Sequence, residues 1–254
     1  MKILGIIPAR YASTRFPGKP LTIINGKSMI QRVYEQSLKS GLLSDVVVAT
    51  DDQRIFEAVV AFGGKVMMTS SEHNSGTDRC CEIVEKIGDK YDAVVNIQGD
   101  EPFTTVEQMR KLVSLFENQD IDIATLATPI VGESAMAEIL NPNIVKVVIS
   151  PNSTALYFSR SAIPYIRDIE HDRWATLHTF YRHIGMYAFR SDVLKRIVTL
   201  EPTPLERAEN LEQLRWMESG YTIGVALTNE IGIGIDTPED LCRAEEILSK
   251  SQQR

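Results

Sequence analysis

The chain has 254 residues, 43% hydrophobic and 24% charged, with a net charge of −7. That length can bury a sizeable core, the composition is ordinary for a soluble globular protein, and the acidic balance argues against a general nucleic-acid binder. Three cysteines, Cys80, Cys81 and Cys242, make neither a disulfide framework nor a zinc-ligand spacing, and no apolar run is long enough to span a bilayer; the expected setting is the reducing cytoplasm, with no membrane partner.

In chain order, the apolar stretch Lys2 to Ile7 predicts a first buried strand, and Asp45 to Ala49, Lys65 to Met68, Ala93 to Ile97 and Ile123 to Leu126 predict further strands. Helical patterns fall between them, at Ser28 to Lys39, Gln53 to Phe62, Asp78 to Ile87 and Thr105 to Phe116. Gly41 and Gly63-Gly64 read as helix stops, and Thr104 or Thr105 with Gln108 reads as a helix start. The alternation implies an α/β protein with a mostly parallel sheet covered by helices. After about residue 128 the pattern changes. Turn signals at Asn141-Pro142-Asn143 and Ser150-Pro151-Asn152 flank a strand Ile144 to Ile149, followed by strands Thr154 to Ser159 and Ile184 to Phe189. Between the last two, Arg167 to Arg182 is polar and aromatic without a period and reads as a lid or dimer arm. Helices Asp192 to Val198 and Ala208 to Ser219, strand Thr222 to Leu227 and helix Glu239 to Ser249 complete a single domain over 1–254, with an insertion at about 129–190.

Five runs carry chemistry. The first strand opens into Pro8-Ala9-Arg10-Tyr11-Ala12-Ser13-Thr14-Arg15-Phe16-Pro17-Gly18-Lys19-Pro20. Arg10, Arg15 and Lys19 there suit a polyanion such as a nucleoside triphosphate, at the strand end where α/β sheets bind ligands. The spacing is neither that of a P-loop nor the glycine fingerprint of a dinucleotide-binding domain. Asn96-Ile97-Gln98-Gly99-Asp100-Glu101 ends an apolar strand in acids, and Ile235-Asp236-Thr237-Pro238 sets a second carboxylate just outside a helix cap. Asp100 and Asp236 together would hold Mg²⁺, which takes one or two protein carboxylates and fills its other sites with phosphate and water. His73-Asn74-Ser75-Gly76-Thr77-Asp78-Arg79 opens a helix, with Thr77 or Asp78 as expected cap, and could present backbone groups and Arg79 to a base or ribose. Finally Ser159-Arg160, Arg182-His183-Ile184-Gly185-Met186-Tyr187 and Asn210-Leu211-Glu212-Gln213 gather the donors and acceptors of a sugar pocket, with Arg160 for a carboxylate. His183 and Tyr187, four apart on a strand, share a face.

At these runs the chain resembles the 3-deoxy-manno-octulosonate (KDO) cytidylyltransferases, from Ile7 to Glu246 and with the motifs in family order. The resemblance implies a Rossmann-like nucleotidyltransferase fold, helices on both faces of the sheet, and a smaller inserted lid or dimerisation subdomain. It implies that CTP and KDO give CMP-KDO and pyrophosphate for lipopolysaccharide synthesis, with Mg²⁺, in a homodimer. It further implies that Ala9, Arg10, Ser13, Lys19, Ser75, Gly76, Arg79 and Gln98 line the CTP side. Gln98, Arg160, His183, Tyr187, Glu212 and Gln213 would bind KDO, with Arg10, Arg15, Lys19, Asp100 and Asp236 as the catalytic set. The alternatives left open are another sugar acid (8-amino-KDO or a sialic-type acid) and a non-catalytic nucleotide-sensing module.

Overall fold

The computed structural model describes residues 1–12, 16–230, 235, 240 and 241. Its contacts divide the chain into two units, one of Met1–Arg110, Arg190–Leu194 and Gly232–Arg254, the other of Lys111–Phe189 and Lys195–Ile231.

The first unit is built around β1 (Ile3–Ala9), in which Ile3, Leu4, Ile6 and Ile7 are all buried. So continuous an apolar run suits a parallel strand covered on both faces. A 3₁₀ turn (Lys19–Leu21) and a small hairpin, β2 (Ile23–Ile24) with β3 (Lys27–Ser28), lead into α1 (Met29–Lys39). The hairpin turns on Asn25-Gly26 with φ of 44° and 79°, the two-residue turn that Asn-Gly favours. It is absent from the elements read above, although that dipeptide signals it. Next come β4 (Asp45–Thr50), α2 (Gln53–Ala61), β5 (Val66–Met68), α3 (Gly76–Ile87), β6 (Ala93–Asn96) and α4 (Val106–Ser114). All four main strands are parallel, with β1 between β6 and β4 and with β5 outside β4. The chain thus builds outward from β1 through β4 to β5, then crosses back to lay β6 on the other flank. The strand order reverses at β1, the switch point at which such sheets bind ligands, beyond the carboxyl ends of β1 and β6.

Helix starts are chemically explicit. Ser28 caps α1 by accepting from the Gln31 amide, and Asp52 caps α2 by accepting from Arg54. Thr105 and Gln108 exchange side-chain and backbone bonds ahead of α4, as expected. The start of α3 corrects the sequence reading. Its cap is Ser75, not Thr77 or Asp78, and Asp78 is the third helical residue of a reciprocal capping box.

The second unit contains β7 (Ile123–Pro129), α5 (Ala135–Leu140), β8 (Lys146–Ile149), β9 (Ala155–Ser159), α6 (Trp174–Leu177), β10 (Tyr181–Arg190), α7 (Ser191–Ile197), α8 (Pro204–Glu209), α9 (Glu212–Glu218) and β11 (Ile223–Leu227), with α7 running across the division. Here β7 pairs parallel with β11 and antiparallel with β10, while β8 and β9 form a hairpin. The stretch expected to be a periodless arm has an apolar anchor of its own. Trp174 stacks on Phe180 at 6.0 Å and packs with Ile130, Ala135 and Ile139. The helix expected over 208–219 is two helices: Asn210 adopts the left-handed conformation (φ 52°), ends α8, and turns the chain into α9. The missed α8 starts after Thr203, whose amide donates to Glu206 Oε2 at 3.3 Å, with Pro204 at its first position. Helix Glu239 to Ser249 lies outside the described residues apart from 240 and 241. Among the described residues no helix is long and apolar enough to cross a membrane.

Candidate active site

The switch point of the first unit is assembled by close backbone packing. A Cβ on Gly99 would lie 2.9 Å from the Pro8 carbonyl oxygen, so only glycine lets the chain leaving β6 press against the end of β1. The next residue is Asp100, whose carbonyl accepts from the amide of Ile235 at 3.0 Å. Lys19 approaches from the loop after β1. Gly18 in the left-handed conformation (φ 72°) and Pro20 set the turn, and the Gly18 amide donates to the Tyr11 carbonyl at 2.9 Å. The Lys19 ammonium then meets Asp100 Oδ2 at 2.7 Å, the lysine side chain 12% exposed and the aspartate 34%. Lys19 and Asp100, 81 residues apart, are therefore brought together. The carboxylate is a hard oxygen donor and part-exposed, the ligand type Mg²⁺ takes, with Lys19 on one of its two oxygens. Asp236, its expected companion, and Ser13 and Arg15 lie outside the described residues.

A second cluster lies along the same strand ends. Arg10, exposed, follows Ala9, and its charge bears on Arg79. Arg79 is 1% exposed; it donates to Thr69 Oγ1 and pairs with Asp51 at 3.5 Å, while its Nη2 has no hydrogen-bond partner among the described residues. Burial pushes the guanidinium's pKa down against the pull of Asp51. An incompletely used buried guanidinium is available to an anionic or polar ligand. Gly76, the first residue of α3, packs against Asn96 and Pro8, and the buried Asn96 Oδ1 is likewise without a partner among the described residues. Asn96 was missed as a candidate; its signal was an amide at the end of an apolar strand. The loop before Ser75 is tied down by Glu82, which accepts from the Ser70 amide (2.8 Å), Lys86 (2.6 Å) and His73. Burial works to raise the Glu82 pKa, but these donors outweigh it and hold the carboxyl at about 2. Gln98, part-buried, follows β6 beside Gly99.

In the second unit β10 carries a bulge. Its register against β7 shifts between Ile184 and Tyr187, so Gly185 and Met186 bow out of the ladder. Thr125 Oγ1 fills the bulge, bonding the carbonyls of Ile184 (3.1 Å) and Met186 (2.9 Å) and contacting His183 Nε2 at 3.0 Å. The hydroxyl has one proton and two carbonyls compete for it, which leaves the imidazole Nε2–H to donate to Thr125. The His183 ring packs against Phe158 and Tyr187, with centroids at 4.9 and 5.4 Å. Burial pushes its pKa down to about 3. His183 and Tyr187 do share a face. Tyr187 packs edge-on against Trp216 at 5.1 Å, and its hydroxyl pKa is raised by burial and by Glu212. Among the described residues the buried Tyr187 hydroxyl, Gln213 Nε2 and Trp216 Nε1 have no hydrogen-bond partner. Native interiors rarely leave such groups bare, which makes these three candidates to meet a polar ligand or an ordered water. Trp216 is a further candidate that the sequence did not single out. Glu212 opens α9 and accepts from Arg215 at 3.0 Å. Arg160 is more engaged than expected: its guanidinium donates to the carbonyls of Glu209 (2.7 Å), Pro142 (3.1 Å) and Asn210 (3.3 Å).

Comparisons with known proteins give the family. The cytidylyltransferase family model matches residues 4–224. A 3-deoxy-manno-octulosonate cytidylyltransferase of Phocaeicola vulgatus is 55% identical over 252 residues, covering 99% of each chain. That of Bacteroides thetaiotaomicron is 56% identical over 248 residues, 98% of each. A solved CMP:2-keto-3-deoxy-manno-octonic acid synthetase complexed with CTP superposes with a TM-score of 0.90 at 41% identity, over 99% of this chain and 100% of that one. A 4-diphosphocytidyl-2C-methyl-D-erythritol synthase from Anaerococcus prevotii, at TM-score 0.60 and 13% identity over 98% and 99% of the two chains, shares the fold alone. End-to-end similarity of this depth, on an α/β nucleotidyltransferase fold, means that the chain belongs to the 3-deoxy-manno-octulosonate cytidylyltransferase family.

Proposed function

We propose that this protein transfers a cytidylyl group from CTP to KDO, giving CMP-KDO and pyrophosphate as a precursor for lipopolysaccharide. The anomeric hydroxyl of the sugar acid attacks the α-phosphorus, its proton passes to solvent, and the bond to pyrophosphate breaks. Such a transfer needs in-line positioning and neutralisation of charge more than covalent help. Arg10 and Lys19, with Arg15 of the same loop, hold the triphosphate and stabilise the departing pyrophosphate. Ala9, Ser13, Ser75, Gly76 and Arg79 form the cytidine side, and Gln98 serves either substrate. Arg160 pairs with the sugar carboxylate, and His183, Tyr187, Glu212 and Gln213 bond its hydroxyls. Asp100 and Asp236 would hold Mg²⁺, which when bound lowers the pKa of a coordinated hydroxyl and neutralises phosphate charge. A homodimer in the cytoplasm is the expected working form.

The observation that carries this reading is the Lys19–Asp100 pair at the switch point where the strand order reverses, in a chain 55% identical from end to end to a KDO cytidylyltransferase. The test is pyrophosphate release from CTP and Mg²⁺ with a panel of sugar acids, KDO, its 8-amino analogue and a sialic-type acid among them. Release with KDO far above the others is expected. Release only with another acid would reassign the substrate, and CTP binding with no release from any acid would leave a nucleotide-sensing module.

A further inference from the structure

We infer that Lys146 is a positioning residue that fixes Arg160, the guanidinium that takes the sugar acid's carboxylate. The inference rests on the reaction proposed above. Lys146 opens β8 and is fully buried (0% exposed), an uncommon place for a lysine. Its ammonium donates to the carbonyls of Asn141 (2.9 Å), Ile144 (2.6 Å) and Arg160 (2.5 Å). An ammonium has three N–H groups, and each has an acceptor. Burial pushes its pKa down while the charge of Glu209 pulls the other way. An apolar residue would fill a strand position at less cost, so the charge is retained for what it gathers: a turn ahead of β8 and the chain just past β9.

Both ends of Arg160's backbone are thereby held. Lys146 takes its carbonyl, and Glu209 Oε2 accepts from its amide at 2.9 Å. The other Glu209 oxygen accepts from Ser159 Oγ at 2.6 Å. The side chain is held as well, since Nε, Nη1 and Nη2 donate to Glu209, Pro142 and Asn210 carbonyls. Pro142 follows Asn141 in the turn that Lys146 anchors, so the ammonium also fixes one of the carbonyls the guanidinium grips. Among the described residues three of the five N–H donors of this arginine are used, which leaves one on each terminal nitrogen. That is the number a carboxylate accepts in a two-pronged pair. Arg160 is thus less a free cation than a mounted one, and Lys146 is part of the mount.

The test is steady-state kinetics of Lys146→Met, which keeps the side chain's length and removes its ammonium. The KM for KDO is expected to rise about tenfold or more, as small misplacements of a substrate-positioning group do, while the KM for CTP stays within about twofold. In an Arg160→Ala background the same substitution should change the KM for KDO no further, because residues acting through one another are not additive. Equal losses in both backgrounds, or a fall in active enzyme with both KM values unchanged, would reduce Lys146 to a structural residue and overturn the inference. If Lys146→Met does not fold, Lys146→Gln, whose amide reaches some of the same carbonyls, decides in the same assay: a smaller rise in the KM for KDO supports the inference, and an unchanged value overturns it. Wild-type protein that is inert with KDO would instead overturn the reaction itself, and the inference with it.

Discussion

The buried hydroxyl of Tyr187 has no partner among the described residues, and it makes opposite demands on stability and on binding. A bare buried hydroxyl costs the folded protein about 1–3 kcal/mol of desolvation, and removing it returns some of that. Tyr187→Phe should therefore leave the melting temperature unchanged or raise it slightly, while the KM for KDO rises about fivefold through a lost hydrogen bond worth about 1 kcal/mol. A fall in melting temperature with an unchanged KM would show that the hydroxyl serves packing rather than substrate. Lys19 and Asp100 differ from it in being satisfied by one another at 2.7 Å. Lys19→Ala removes a donor aimed at developing charge, so kcat should fall about 10²-fold with the fold intact by circular dichroism. Asp100→Asn should instead shift the Mg²⁺ concentration for half-maximal pyrophosphate release upward. Full activity of the Asn variant at the wild-type Mg²⁺ requirement would remove Asp100 from the metal site.

Helix α3 shows what an element contributes beyond its residues. Ser75 and Asp78 close its first turn, and Glu82 one turn further on gathers the Ser70 amide, His73 and Lys86. The loop 70–75 is thus held against the helix whose start faces Pro8 and Asn96. Because the Glu82 carboxyl is held at about 2 against its ordinary 4.5, its stabilisation is complete above about pH 4.5 and is lost as pH falls toward 2. Glu82→Gln should cost about 1–3 kcal/mol at pH 7 in urea unfolding, and the gap to wild type should narrow at pH 3. Much of this was legible in advance. The strands, most helix bounds, Lys19, Asp100 and the shared face of His183 and Tyr187 follow from period-2 and period-3.6 patterns and from acids or cations placed where strands end. What escaped depends on contacts distant in the chain. The bulge in β10 exists because Thr125 satisfies two carbonyls on a neighbouring strand, and Lys146 looks like a surface lysine until three carbonyls surround it. The break between α8 and α9 turns on one left-handed Asn210 inside an otherwise helical pattern. Asn210→Gly should be neutral or slightly stabilising, whereas Asn210→Val should cost about 1–2 kcal/mol, because a branched side chain opposes that conformation.

Across the whole molecule, acid acts on the two units through different groups and at different pH. The first unit contains the lowered carboxyls: Glu82, together with Glu35, Asp45 and Asp52, each held down chiefly by hydrogen bonds from a neighbouring cation. Their protons bind only below about pH 4.5, so they leave stability untouched under mildly acid conditions. The second unit contains His183, whose pKa burial lowers from 6.5 to about 3. Unfolding exposes that imidazole to protons it refuses in the native state. Its contribution is therefore full above pH 6.5 and declines as pH falls toward 3, by about 1.4 kcal/mol per unit once well below 6.5. Between pH 6.5 and 5, hydrogen exchange followed by mass spectrometry should show protection falling in the 181–190 strand while β1 and β4 keep theirs. His183→Gln, neutral at every pH and able to donate to Thr125, should flatten that fall. A strand that loses protection equally in the variant would mean that the acid response does not originate at His183, and that the packing of its ring against Phe158 and Tyr187 is not what keeps the imidazole neutral.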